Sequence, residues 1–185
     1  MKNWTGVRVA GVLMLLCIGL ASLRGEAAEI SNDQAVRYIL ALVKAFRTAY
    51  VRDVVERLKH VGIHAQEDWT KDDHAIMLPF EFVKRAGANI KHDFHDVDVG
   101  LISLTPINPS HLPKTPAERE ALQTLATAPK QTILTFGDGD QYKGLVPDFA
   151  VQQVCADCHN HHPKSPKKDF REGDVMGAIV VSIQP

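Results

Sequence analysis

The chain has 185 residues, of which 45% are hydrophobic and 23% charged, with a formal net charge of −1. That length suits one ordinary domain, and the balance excludes both a disordered chain and a polytopic membrane protein. Without a basic excess there is nothing to hold a nucleic-acid backbone, so no nucleic-acid partner is expected.

Residues 1–28 have the form of a secretory signal. Lys2 and Arg8 make the positive start, Val9 to Leu23 carries no charge, and small residues follow at Gly25, Ala27 and Ala28. The apolar run is short for a membrane span, so the expectation is a cleaved signal peptide and a periplasmic protein with no stable span. An uncleaved anchor is the competing reading. Cleavage removes three positive charges and one negative, and it removes Cys17, leaving Cys155 and Cys158. Residues 29–185 then form a single domain.

Ser31 and Gln34 have capping-box spacing. Val36, Ile39, Leu40, Val43, Phe46, Tyr50, Val54, Leu58 and Val61 follow at helical intervals, and Gly62 is a natural stop. A long amphipathic helix over 32–61 is predicted, with room for a kink. Residues 63–75 are polar and predicted as loop. Pro79 opens a second helix to about Lys91, weakened by Gly87, and Val97 to Thr105 reads as a strand. Thr115 and Glu118 make another capping box, with Pro116 in the first helical position, and that helix should end near Thr127. Gln131–Phe136 and Gln141–Leu145 read as a hairpin around Gly137-Asp138-Gly139-Asp140. Ala178–Ile183 is a final β-rich run. The expected class is α+β with an antiparallel sheet and a long N-terminal helix.

Nine histidines and the run Cys155-Ala156-Asp157-Cys158-His159 carry the chemistry. C-x-x-C-H is the attachment pattern of c-type haem. Thiols at that spacing reach the two vinyl groups of one haem, and the adjacent imidazole becomes the proximal iron ligand. The export signal agrees, because this haem is attached outside the cytoplasmic membrane. Three readings compete. A redox dithiol would normally open a helix in a βαβ setting with a lowered thiolate pKa. A zinc site would draw on Cys155, Cys158 and two of His159, His161 and His162, at spacings unusual for zinc. A structural disulfide would join the two cysteines.

The stretch from Cys155 through His159, Asn160, His162-Pro163, Ser165-Pro166-Lys167, Asp169-Phe170 and Gly173-Asp174-Val175-Met176-Gly177 resembles the C-terminal signature of a single-haem c-type family. Weaker echoes lie in Leu78-Pro79, in Leu101 to Asn108, at the Thr115 helix start and in Val146 to Val151. The resemblance implies a PAS-like fold with one covalent haem c against its sheet. Such proteins occur free in the periplasm and as sensor modules ahead of histidine kinases and chemotaxis-type transducers. Some relatives place a cysteine thiolate on the distal side of the iron, which this chain cannot do once Cys17 is gone.

The sixth iron ligand separates the functions. A strong one suits electron transfer, while a weak or absent one admits a small gas. Candidates are His60, His64, His74, His92, His95, Met77 and Met176. The position stays open between these and a water-bound or unligated iron, with His74 first among the side chains. Lys164, Lys167 or Lys168 are candidates to neutralise the haem propionates, and Trp69 and Phe94 to line the pocket. Asp169 and Asp174 are expected to fix a turn with Gly173.

The leading expectation is a redox or small-gas sensor-type haem protein that passes its message to a separate partner. The long helix would offer the surface for that partner or for a homodimer. The alternative is a soluble monohaem electron-transfer cytochrome c. No enzymatic activity is expected, since a peroxidase would need a distal acid–base group that nothing singles out.

Overall fold

The first helix starts where its cap chemistry puts it. Ser31 is extended, and its hydroxyl accepts a hydrogen bond from the Gln34 amide at 3.2 Å. A computed structural model describes residues 29–127 and 133–184. The proposed signal segment 1–28 and the first residues of the expected strand at 131 lie outside the described residues. Helix α1 (Asn32–Ala49) runs into a π-helical stretch (Tyr50–Val55) and a closing turn, α2 (Glu56–Lys59). The rod ends in a Schellman motif: the Ile63 amide bonds Leu58 O, the Gly62 amide bonds Lys59 O, and Gly62 has φ +82. Its buried line differs from the expected stripe. Val36, Leu40, Val43, Arg47, Val51 and Val55 face inward, while Phe46 is 60% exposed and Val61 70% exposed. The wider π turns keep Arg47, Val51 and Val55 along one side.

The expected loop at 63–75 is more ordered than its polarity implies. β1 (His64–Ala65) and β2 (Ala75–Ile76) pair in parallel around a 3₁₀ turn at Trp69–Lys71. α3 (Pro79–Asp93) follows, with Pro79 in the first turn, where its missing amide costs nothing. β3 (Val97–Ile102) comes next, ending three residues before the expected Thr105. α4 (Pro116–Thr127) starts at Thr115, whose hydroxyl accepts from the Glu118 amide at 3.1 Å. β4 (Leu134–Asp138) and β5 (Gln141–Phe149) form a hairpin whose turn is Gly139-Asp140, with Gly139 at φ +67. α5 (Gln153–His161) and β6 (Val175–Ile183) complete the chain.

The four longer strands make one antiparallel sheet in the order β3-β6-β5-β4. This is the expected α+β class with an antiparallel sheet and a long N-terminal helix. Alternation along β6 assigns Ile179, Val181 and Ile183 to one face, where they pack with Val36, Leu40 and Val43 of α1 and Val83 of α3. Ala178 and Val180 turn the other way and pack with Leu122 and Leu125 of α4. Helices therefore cover both faces. The close approach on the first face explains two glycines. A Cβ on Gly144 would sit 2.4 Å from Val36 Cγ1, and one on Gly87 would sit 2.6 Å from Val99 O. Gly87 weakens its helix but lets α3 lie directly on β3.

Polar ties fix α1 and α4 to the sheet. On α4, buried Lys143 Nζ bonds Glu118 Oε1 at 2.8 Å and Asp138 Oδ2 at 2.7 Å. On α1, Asp33 accepts from Arg37 at 2.8 Å, from Thr135 at 2.8 Å and from Tyr142 at 3.0 Å. These bonds, led by Arg37, hold the Asp33 carboxyl down at about 2, below the ordinary carboxylate range. The folded value lies below the unfolded one, so the stabilisation is present above about pH 4 and is lost as pH falls towards 2. Wild type should therefore melt above Asp33→Asn near neutrality. Thermal melts between pH 5 and 2 should show that gap closing in acid. A gap that stays constant with pH would contradict this role.

Candidate functional site

The C-x-x-C-H run lies on α5, a helix that the sequence did not predict. Its Cys, Asp, Asn and His residues are weak helix formers, and nine residues give little periodicity to read. The helix is stitched by Gln153 Nε2 donating to Asp157 Oδ1 at 2.8 Å. Cys155 and Cys158 stand three residues apart and Cys155 and His159 four apart, so all three side chains share one flank. That flank forms a wall of a cavity of about 770 Å³. Such a volume falls within the about 300–1,000 Å³ typical of cofactor and small-molecule pockets. Around the base of α5, Val51, Ala150, Cys155, Ala156, Phe170 and Met176 form their own apolar cluster.

His159 is held from behind. Its ring meets Phe170 edge-on, with centroids 5.8 Å apart. Phe170 is fixed by a two-way clasp, since Asn160 Nδ2 donates to Phe170 O at 2.8 Å and the Phe170 amide donates to Asn160 Oδ1 at 2.9 Å. His159 Nδ1 is buried with no hydrogen-bond partner among the described residues. Burial, with Arg47 and His162 nearby, pushes the imidazole down to about 4, so it is neutral at physiological pH. A neutral, immobilised imidazole without a protein partner on a cavity wall suits a metal ligand.

Cys155 is buried and Cys158 is exposed on the cavity side, and the two are not joined in a disulfide. Burial raises both thiols above their ordinary value. This runs against the redox-dithiol reading, which needs a lowered one, and the sheet is antiparallel rather than βαβ. The zinc reading also loses ground. Among the described residues no three His, Cys, Asp or Glu side chains are grouped to hold a metal ion. His161, one of its candidate ligands, turns its Nδ1 to Asp157 O at 2.7 Å.

Beside the cysteines lies a buried ion pair. Arg47 Nε is 2.8 Å from Asp148 Oδ1, with side chains 8% and 10% exposed. Both line the cavity. Burial raises the Asp148 carboxyl, while Arg47 and Lys44 pull against it.

The distal candidates separate clearly. His74, the first choice from sequence, is 83% exposed and does not line the cavity. It sits in the exposed approach to β2, where Asp72 caps its amide at 2.9 Å. His60 and His92 are also surface residues, and His95 caps the end of α3 through Lys91 O. Met77 contributes only its carbonyl, to Tyr50 OH at 2.8 Å. His64 and Met176 do line the cavity. So does His111, which the sequence reading passed over. It closes a 3₁₀ turn at Pro109–His111 and packs on Phe80, with centroids 4.4 Å apart. The Asn108-Pro109-Ser110 turn signal was legible, but nothing in it pointed to the cavity.

Other expectations are corrected in the same way. Lys164, Lys167 and Lys168 do not line the cavity, and Lys167 pairs with Asp169. Lys59 and Lys84 line it instead. Trp69 stacks under Arg85, and Phe94 is 62% exposed. Asp174 does fix the Gly173 turn, accepting from the Arg171 amide at 2.8 Å, whereas Asp169 stays on the surface.

Comparison with known proteins bears on the whole domain. The family model described as Tll0287-like matches residues 25–184. Among solved structures, the chain is similar to the crystal structure of the cyanobacterial heme-protein Tll0287. The identity is 17% and the TM-score 0.59, covering 84% of this chain and 97% of that one. No curated protein matches the chain.

Proposed function

The chain belongs to the Tll0287-like family, and on that premise we propose that it is a periplasmic haem protein holding one haem c, attached through Cys155 and Cys158, with His159 as proximal iron ligand. The observation that carries this reading is helix α5, whose two thiols and neutral imidazole share one flank on a cavity of cofactor size. The described match to a haem protein adds to it.

Each chain residue then has a definite task. Cys155 and Cys158 would hold the haem as thioethers, each thiol adding its sulfur and hydrogen across one vinyl group with no oxidant required. The Phe170–Asn160 clasp keeps the imidazole oriented. Lys59 and Lys84, on the cavity wall, are the cations available to propionates. When bound, the haem supplies an iron that exchanges an electron or takes a small axial ligand. We read the role as sensing redox state or a small gas, without catalysis, the message passing to a separate protein. The exposed stripe Tyr38, Leu42 and Phe46 on α1 is the surface for that protein or for a second copy.

The test is to produce the protein in a host with haem-c maturation. Haem staining of a denaturing gel and the haem-to-protein ratio are then measured. A stained band with one haem per chain is the expected result. Protein that folds but carries no stain overturns the reading.

A further inference from the structure

We propose that His111 supplies the second axial ligand to the haem iron. This rests on the haem reading above. His111 and His159 line one cavity but come from separate parts of the fold, the β3–α4 connection and α5. The contrast with the other cavity-lining histidines singles His111 out. His162 follows His159 by three residues at the end of the same helix, and its Nδ1 already accepts from the Lys164 amide at 3.2 Å. His64 is exposed on a two-residue strand.

The backbone of His111 is anchored at both its amide and its carbonyl. Its amide bonds Asn108 O at 3.0 Å, and its carbonyl accepts from the Ser103 amide at 2.9 Å. Ser103 is tied in turn to β6, its hydroxyl donating to Met176 O at 2.7 Å. The ring packs on Phe80 at the start of α3. Neither ring nitrogen has a hydrogen-bond partner among the described residues. Side-chain entropy has been spent on ordering this half-buried imidazole, yet its ring nitrogens bond nothing among the described residues. An iron in the cavity would satisfy it.

The test compares wild type, His111→Ala, His111→Met and His64→Ala as matured holoproteins. Electron paramagnetic resonance and absorption of the ferric forms, and absorption of the ferrous forms with and without CO, are recorded. Wild type and His64→Ala are expected to be low-spin and slow to bind CO. His111→Ala should turn high-spin and bind CO at least tenfold faster. His111→Met should regain a low-spin spectrum with the far-red band of methionine ligation. A wild type that is already high-spin, or a His111→Ala spectrum unchanged from wild type, overturns the assignment. Loss of the low-spin signal in His64→Ala alone transfers the role to His64 and overturns it equally. In each of these cases covalent haem stain on the gel leaves the haem reading standing. Absence of stain in wild type fails that reading instead.

Discussion

Cys155→Ala/Cys158→Ala protein is expected to keep no haem through acid-acetone extraction or a denaturing gel, while wild type keeps its full complement. The physical reason is the number of bonds. In the proposed attachment two thioethers would tie the cofactor to α5, and removing both would leave only the imidazole and cavity packing, which denaturation destroys. Single variants should hold haem through one bond. Both cysteines border the cavity, but Cys155 also packs in the apolar cluster around α5, so its loss removes some core contact. Circular dichroism of the double variant separates loss of attachment from loss of fold. A folded double variant that retained haem through extraction would show that the thiols are not the attachment.

Arg47→Met is expected to lower stability by about 3–5 kcal/mol, the cost of leaving a buried charge without its partner. For a domain of this size that lowers Tm by on the order of 10 °C. Asp148 lies under Arg47 and has no comparable second cation, since Lys44 acts only through space. Burial already raises the Asp148 carboxyl, and losing Arg47 raises it further. A carboxyl whose folded value lies above its unfolded one favours the fold in acid and weakens it as pH rises through the folded value. The deficit of Arg47→Met should therefore shrink in acid. Adding Asp148→Leu should recover much of it at neutral pH, because an apolar pair of similar volume carries no desolvation cost. Urea unfolding of the holoproteins at pH 5 and pH 7.5 measures both effects. A loss below about 1 kcal/mol, or no recovery in the double variant, would mean the pair is solvated enough to matter little.

The elements that were legible in the sequence are those whose signals are local. Ser31, Thr115, Pro79 and Gly62 each act on backbone groups within a few residues, and each starts or stops a helix as expected. The elements that were missed depend on partners outside their own segment. The two-residue strands β1 and β2 exist because they pair with each other and not because of their composition. Helix α5 forms from weak helix formers because its apolar side packs on Val51, Phe170 and Met176. Phe46 was expected on the buried stripe, yet it is exposed and its neighbour Arg47 is buried. The sheet decides this, because Asp148 on β5 offers a buried partner for a guanidinium.

The chemistry of the site was readable in the same local way. C-x-x-C-H names the three residues of the proposed attachment by their spacing alone, and a helix of nine residues puts them on one flank. No short-range rule could choose among the remaining histidines. Imidazoles at 60, 64, 74, 92, 95 and 111 are alike in sequence, and His74 led by its neighbours alone. Packing decided between them: His74 ends in solvent, while His111 is carried to the cavity wall by a turn tied to β6 through Ser103. The sequence by itself determined the α+β class, the C-x-x-C-H spacing, the helix starts at Ser31, Pro79 and Thr115 and the stop at Gly62, these starts and the stop being set by contacts within a few residues. Only the tertiary structure decided which groups share the cavity and which charge is buried beside it, because those facts come from contacts between residues up to about a hundred positions apart.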